Sequence, residues 1–391
     1  MRSLLNSAYK RIFIGLMCFA ASSACVHAQT WTWKYETVDT STLFTSVAVD
    51  DIGNVHLAYA GTRGSSMDYA FRDVSSGHWY TMNLEKQLQE HAVDLTLDAK
   101  GNPHICYTPR ELKYAYFNGK QWNIQKIAEG EGSIEYNCTL VLSPDGTPHV
   151  LWYQTRLADG SNYYHLRYAE LLNGAWLAWT VDYDREAGKW NAMVLDAKGN
   201  PHIFYSAFPP GDLKSGIWDG KKWDIDVKFS PEPSLSSGMG IAVVRMPDGD
   251  EYISFYESPL DATRSTATGS LKFARLTSKG WSVENVDSLV QGGSWVGYRS
   301  SLVLDKDGHP HISYEDHGIL KHAYYDGKVW HIQVVAPRAI EQYLYSSMAI
   351  SKDNVLYISY RDPSDGSLKV AIGHESAAAA TPATVAKSSG K

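Results

Sequence analysis

The chain has 391 residues, 44% of them hydrophobic, and carries 25 Tyr, 13 Trp and 31 Gly. That is too apolar for a disordered chain, and the aromatic and glycine content suits twisted sheets with tight turns. With 36 basic against 43 acidic residues the net charge is −7, which excludes a basic phosphate-binding surface and nucleic-acid recognition as the main activity.

The first predicted element is an export signal. Met1–Arg11 carries Arg2, Lys10 and Arg11 and no acid; Ile12–Ala21 is an apolar run too short to span a bilayer; Val26-His27-Ala28 sets small residues at the −3 and −1 positions of a cleavage site. We expect cleavage after Ala28 and a secreted or periplasmic protein. A lipoprotein anchored at Cys25 is disfavoured, because Ser22 stands where a branched apolar residue is usual. No other segment is apolar enough to be a membrane span. Two cysteines remain beyond the signal, Cys106 and Cys138. An oxidising compartment permits a bridge between them; the alternative is two buried free thiols. No metal site and no cofactor are expected, since neither cysteine has zinc-type spacing and there is no P-loop or dinucleotide fingerprint.

Next comes an isolated strand, Trp33-Lys34-Tyr35-Glu36-Thr37-Val38-Asp39. It matches Trp281-Ser282-Val283-Glu284-Asn285-Val286-Asp287 at Trp, Glu, Val and Asp. From there the chain repeats. Each repeat is a β-branched strand, a D-x-x-G turn, a second strand with an aromatic, a third strand of the L-K-x-A type and a fourth opening with Trp. The second-strand aromatics are Tyr59, Tyr107, Trp152, Tyr205, Phe255, Tyr314 and Tyr360. The third strand recurs seven times, from Met67–Ala70 to Leu368–Ala371. The fourth-strand Trp recurs only six times, at Trp79, Trp122, Trp176, Trp223, Trp281 and Trp330. The Trp33 strand supplies the missing copy if it pairs beside Leu368–Ala371. An unpaired N-terminal strand would leave an open edge, whereas this pairing closes a ring. The fold expected is all-β: a seven-bladed β-propeller over residues 29–373, closed by its N-terminal strand, with 374–391 as a loose tail.

This blade consensus, a β-branched run with D-x-x-G-x-P-H-I-x-Y, then L-K-x-A and Trp, resembles the secreted BNR/sialidase-like propeller repeat proteins. The resemblance implies the fold. It departs from true sialidases, which have six blades, S-x-D-x-G-x-x-W boxes and an R-I-P motif. None of these occurs here, and Ser143-Pro144-Asp145-Gly146 lacks the closing Trp. Seven-bladed relatives include polysaccharide lyases and unusual glycosidases, so the resemblance makes glycan chemistry plausible.

Repetition separates scaffold from site. His56, His104, His149, His202 and His311 share one register on five blades, so they read as blade structure rather than a metal cluster or catalytic bases. Chemistry is expected on the non-repeated connections Ala60–Ser66, Glu129–Asn137, Gln154–His165, Glu257–Ser270 and Asp287–Arg299, which share one face. The expected inner ring of that face draws Glu135, Tyr136, Trp190, Tyr298 and Arg299 from blade connections. Arg110, Arg156, Glu315, Asp316, His317 and Arg361 come from second-strand ends. Arg forks hold carboxylates and aromatic rings stack on sugar faces. Arg299 and Arg361 are the expected carboxylate clamp. Glu315, Asp316 and His317 are the candidate proton-transfer groups, with His317 foremost. The expected ligand is an acidic polysaccharide, bound or cleaved by a hydrolase or lyase reaction. The competing reading is a non-catalytic scaffold for a protein partner.

Overall fold

The structure, a computed structural model, describes residues 30–376 apart from 62–64, 87–91, 109–110, 128–133, 157–161, 185, 209–210, 233–234, 260–268, 289–299, 317, 338–344 and 363; the side chains of 134–136, 155–156, 162–163 and 259 are also outside the description. It is a seven-bladed β-propeller of seven four-stranded antiparallel sheets. Blades 1 to 6 run in order through residues 42–86, 93–126, 134–182, 186–229, 235–288 and 301–336, each with its first strand innermost and its fourth outermost. Blade 7 takes three strands from 346–376 and its outer strand from Thr30–Asp39. Thr30–Asp39 lies antiparallel to Leu368–Ser376 with Trp33 opposite Gly373, Tyr35 opposite Ala371 and Thr30 opposite Ser376. The last strand thus runs past Gly373. Among the described residues no helix is long and apolar enough to cross a membrane.

The D-x-x-G turns work through their aspartates. The Asp50 carboxylate accepts the N–H groups of Ile52 and Asn54, and Asp98, Asp196 and Asp305 do the same in their blades. The glycines that follow sit at positive φ, as at Gly308 (φ 82°), which allows the chain to reverse.

The core is not one body but a set of layers between neighbouring blades. One layer joins Cys106, Leu112 and Tyr114 of blade 2 to Cys138, Leu140 and Trp152 of blade 3. Three repeated contacts build these layers. First, the fourth-strand Trp stands edge-on to the third-strand ring of the preceding blade. Trp122 meets Tyr69 at 5.0 Å, Trp176 meets Tyr114 at 5.3 Å, Trp223 meets Tyr168 at 5.4 Å and Trp330 meets Phe273 at 5.1 Å. Trp33 of the closing strand does this for blade 7, against His322 of blade 6 at 5.4 Å. Second, the second-strand Tyr donates to an acid at the end of the preceding blade's outer strand. The pairs are Tyr59 with Asp39, Tyr107 with Glu85, Tyr205 with Asp182 and Tyr314 with Asp287. The Lys of L-K-x-A pairs with the same acid: Lys113 with Glu85, Lys214 with Asp182, Lys321 with Asp287.

Third, the register histidines pack at the seams: three bond a tyrosine of their own blade, and His202 reaches Glu251 of the next blade. His56, His104 and His149 bond the hydroxyls of Tyr69, Tyr114 and Tyr168 through Nδ1. They are buried, and burial lowers the pKa of each, that of His149 to about 4. Asp305, Asp307 and His309 bring donor atoms within 4.8 Å of one another. They belong to a D-x-x-G turn whose Asp305 already accepts two N–H groups, and we assign no ion to them. A disulfide joins Cys106 to Cys138 with Cα atoms 6.5 Å apart, which ties blade 2 to blade 3.

Candidate functional site

The inner strands of all seven blades surround a central cavity of about 250 Å³. An inner strand is paired on one side only, so its other edge needs acceptors for its N–H groups. Side chains at one register supply them across the seams. Ser46 accepts from Leu95 N–H, Asp94 from Leu140 N–H, Ser301 from Met348 N–H and Ser347 from Val47 N–H. Much of the wall's polarity is therefore committed to the ring. Asp94 is the one carboxylate among the described lining residues, and no described lining residue is cationic.

The face opposite the D-x-x-G turns collects inner-strand starts, second-strand ends, third-strand starts and outer-strand ends. On blade 3 this upper edge departs from the repeat. Its third strand, Asn162–Leu172, is the longest third strand of the seven, and its second strand, Pro148–Arg156, is also extended. Moving outward from the channel, the edge presents Cys138 opposite Trp152, Gln154 opposite His165, and Leu166 opposite Asp182. Register breaks between first and second strands and between third and fourth strands recur on other blades, but among the described pairings only blade 3 breaks register between its second and third strands, from Gln154 to Arg156. A break of this kind re-aims side chains and favours functional edges. The inner strand of blade 4, Glu186–Leu195, closes on this edge. Asn137 Nδ2 and Thr139 Oγ1 donate to the Asn191 carbonyl at 2.6 and 3.0 Å. Trp190 lines the cavity there with φ 46°, in the left-handed region where a bulky residue is strained. Strain of this kind concentrates at functional positions.

The electrostatics of the edge are mixed. Burial, then the Arg167 guanidinium, lowers the His165 pKa against the opposing pull of Asp182, so the imidazole is neutral at neutral pH. The His165 ring lies 6.3 Å from that of Tyr183, which is 77% exposed. Tyr153 and Tyr164 stack at 6.3 Å. Arg167 sits 5.7 Å from the Trp152 ring, and Lys214 bridges Asp182 and Asp184 at 3.2 Å each. A neutral imidazole near a guanidinium and the exposed Tyr183 ring can take a proton from a bound sugar acid.

The sequence candidates divide by sector. Trp190 is in the channel wall at the blade 3–blade 4 seam. Glu135 and Tyr136 lie on the inner strand Ile134–Leu142, and Arg156 ends the second strand of blade 3 opposite Asn162, so these backbone positions share the same edge. Arg361 ends the second strand of blade 7, half-buried, with its guanidinium against Gly366. Glu315 and Asp316 are 3% and 0% exposed in blade 6. The Glu315 carboxylate accepts Gly318 N–H, its backbone N–H and C=O both bond the Tyr256 hydroxyl, and Asp316 pairs with Lys321 at 2.7 Å. The Tyr256 contacts fasten blade 6 to blade 5, and the other two brace blade 6 itself. Arg110, Tyr298, Arg299 and His317 lie outside the described residues. Sequence reasoning passed over His165, Arg167 and Tyr183. The available signals were an Arg where five other blades have Lys, and a Trp where most have Tyr.

No family model matches the chain, and no curated protein does. Solved structures do. A polysaccharide lyase described as an ulvan lyase, bound to -[GlcA(1-4)Rha3S]-, superposes with a TM-score of 0.58 at 10% identity, over 87% of this chain and 95% of that one. A second polysaccharide lyase gives 0.54 at 10% identity, over 84% and 89%. A protein of unknown function from Dyadobacter fermentans gives 0.53 at 14% identity, over 87% and 96%. At these identities the likeness is one of fold.

Proposed function

We propose that this propeller acts on an acidic polysaccharide outside the cytoplasm, holding the chain across the upper edge of blade 3 and into the channel mouth at Trp190. The carrying observation is the convergence of His165, Arg167 and exposed Tyr183 on one edge with strained Trp190 at its inner end. The lyase-like fold, the BNR-like blade consensus and the disulfide, which needs an oxidising compartment, support the reading. Export by the N-terminal signal belongs to the same proposal.

The chemistry that fits is uronate elimination. Arg167 offsets the sugar carboxylate, and the rings of Tyr183 and Trp190 stack on sugar faces. Neutral His165 takes the proton α to the carboxylate. The electron pair forms the ring double bond as the glycosidic C–O bond breaks, and the leaving oxygen is protonated from solvent. Glu135, Tyr136 and Arg156 are further proposed glycan contacts on this edge. Incubating the purified protein with polyuronates and neutral polysaccharides tests both parts. The proposal predicts retention of the polyuronate and a rise in unsaturated-uronate absorbance. Retention without absorbance would overturn the elimination step. Retention of no glycan would overturn the proposal and favour the protein-scaffold reading.

A further inference from the structure

The seam between blades 6 and 7 differs from the others. Where blades 1 to 3 place Tyr69, Tyr114 and Tyr168 on the third strand, blade 6 places His322. His322 Nε2 lies 2.9 Å from His311 Nδ1, and the two rings stack at 5.2 Å and 11°. Over the pair sit the indoles of the closing strand, with Trp31 edge-on at 5.8 Å and Trp33 at 5.4 Å. His322 is fully buried, and its Nδ1 has no hydrogen-bond partner among the described residues. The closing strand is held here by Gln333, whose side-chain amide bonds the Trp31 backbone N–H and C=O.

The charged neighbours are unevenly placed. Asp305 lies 3.7 Å from His311 Nε2 and also contacts His309 at 3.3 Å. On the other side, Tyr324 stacks on His322, and beyond it stand the His331–Asp326 pair and Glu375. The His–His bond needs one proton between two nitrogens. The unpartnered, buried Nδ1 of His322 is best left bare, so His322 Nε2–H donates to His311 Nδ1 and His311 keeps its own proton on Nε2, toward Asp305. The one ring nitrogen of the pair left to take a proton is then His322 Nδ1, sealed beneath two indoles with no acceptor, so that proton enters only when the closing strand lifts.

We propose that the His311–His322 pair is an acid-sensitive latch that holds Thr30–Asp39 on the propeller at neutral pH and releases it in acid. Burial, then His311, depresses the His322 pKa well below the ordinary imidazole range. The open state therefore binds more protons than the closed state. Closure is fully stable above the ordinary imidazole value of about 6.5 and is lost as pH falls below it.

Hydrogen exchange of residues 30–39, corrected for intrinsic exchange rates, reads the latch. One extra proton on opening predicts that protection falls about tenfold per pH unit below about 6.5. His322→Tyr, which restores the residue of blades 1 to 3, should hold protection within about twofold over the same span. An equal fall in both proteins would overturn the latch. The wild type gives a second reading without any variant. Residues 30–39 must lose protection ahead of the outer strands Trp79–Lys86 and Trp223–Phe229, and simultaneous loss would also overturn it.

Discussion

At the level of single residues, most of the polar chemistry legible in the sequence holds blades together. Lys321 shows the logic. Its ammonium lies 2.7 Å from buried Asp316 and 2.9 Å from Asp287, which also accepts the Tyr314 hydroxyl. Removing the cation leaves two carboxylates facing each other in a partly buried seam. Lys321→Met should cost about 3 kcal/mol of stability, read as a lower midpoint in denaturant. A change under about 0.5 kcal/mol, the size expected of a surface pair, would mean that the clasp is decorative. The register histidines could be set aside from sequence because five blades share them and an asymmetric site does not repeat. Glu315 and Asp316 could not be sorted that way. They do not recur as a pair, yet their contacts are structural: Gly318 and Lys321 hold them within blade 6, and Tyr256 ties Glu315 to blade 5.

Among the elements, the closing strand and the disulfide bear most directly on ring integrity. Trp33 packs into the seam opposite Gly373, where a Cβ would lie 2.6 Å from the indole. Gly373→Ala must displace that ring, and should destabilise the protein by about 1–3 kcal/mol. Thermal unfolding of the variant within a degree of wild type would contradict the packing of this seam. The strand was legible because its Trp, Glu, Val and Asp follow the fourth-strand pattern, and because a seventh copy of that strand was missing. The Cys106–Cys138 bridge was not decided by spacing. It depends on a blade-to-blade approach of 6.5 Å that no local pattern encodes. With its ends 32 positions apart in the chain, reduction should lower stability by about 3–4 kcal/mol in the chain-entropy model. An unfolding midpoint indifferent to reductant would show that the bridge does not constrain the unfolded chain.

For the whole molecule, repetition made the fold readable, and the same repetition hid the site. Blade number, strand order and ring closure follow from columns of Tyr, Lys and Trp. Function depends on departures from those columns: an Arg for Lys at 167, a Trp for Tyr at 152, an elongated hairpin, and a tryptophan in a left-handed backbone. Only the assembled ring brings Trp190 of blade 4 beside Asn137 of blade 3, through Asn191, and sets both at the channel. An acidic glycan held at this seam stacks on Trp190, so polyuronate affinity of Trp190→Gly beside wild type is the decisive measurement. Glycine accepts the φ of 46° without strain, so the change removes the ring and leaves the backbone path. Loss of a stacking ring worth about 1–3 kcal/mol predicts affinity weaker by roughly fivefold or more, with the unfolding midpoint maintained. Unchanged affinity in a folded variant would place the glycan elsewhere on the propeller and contradict the account.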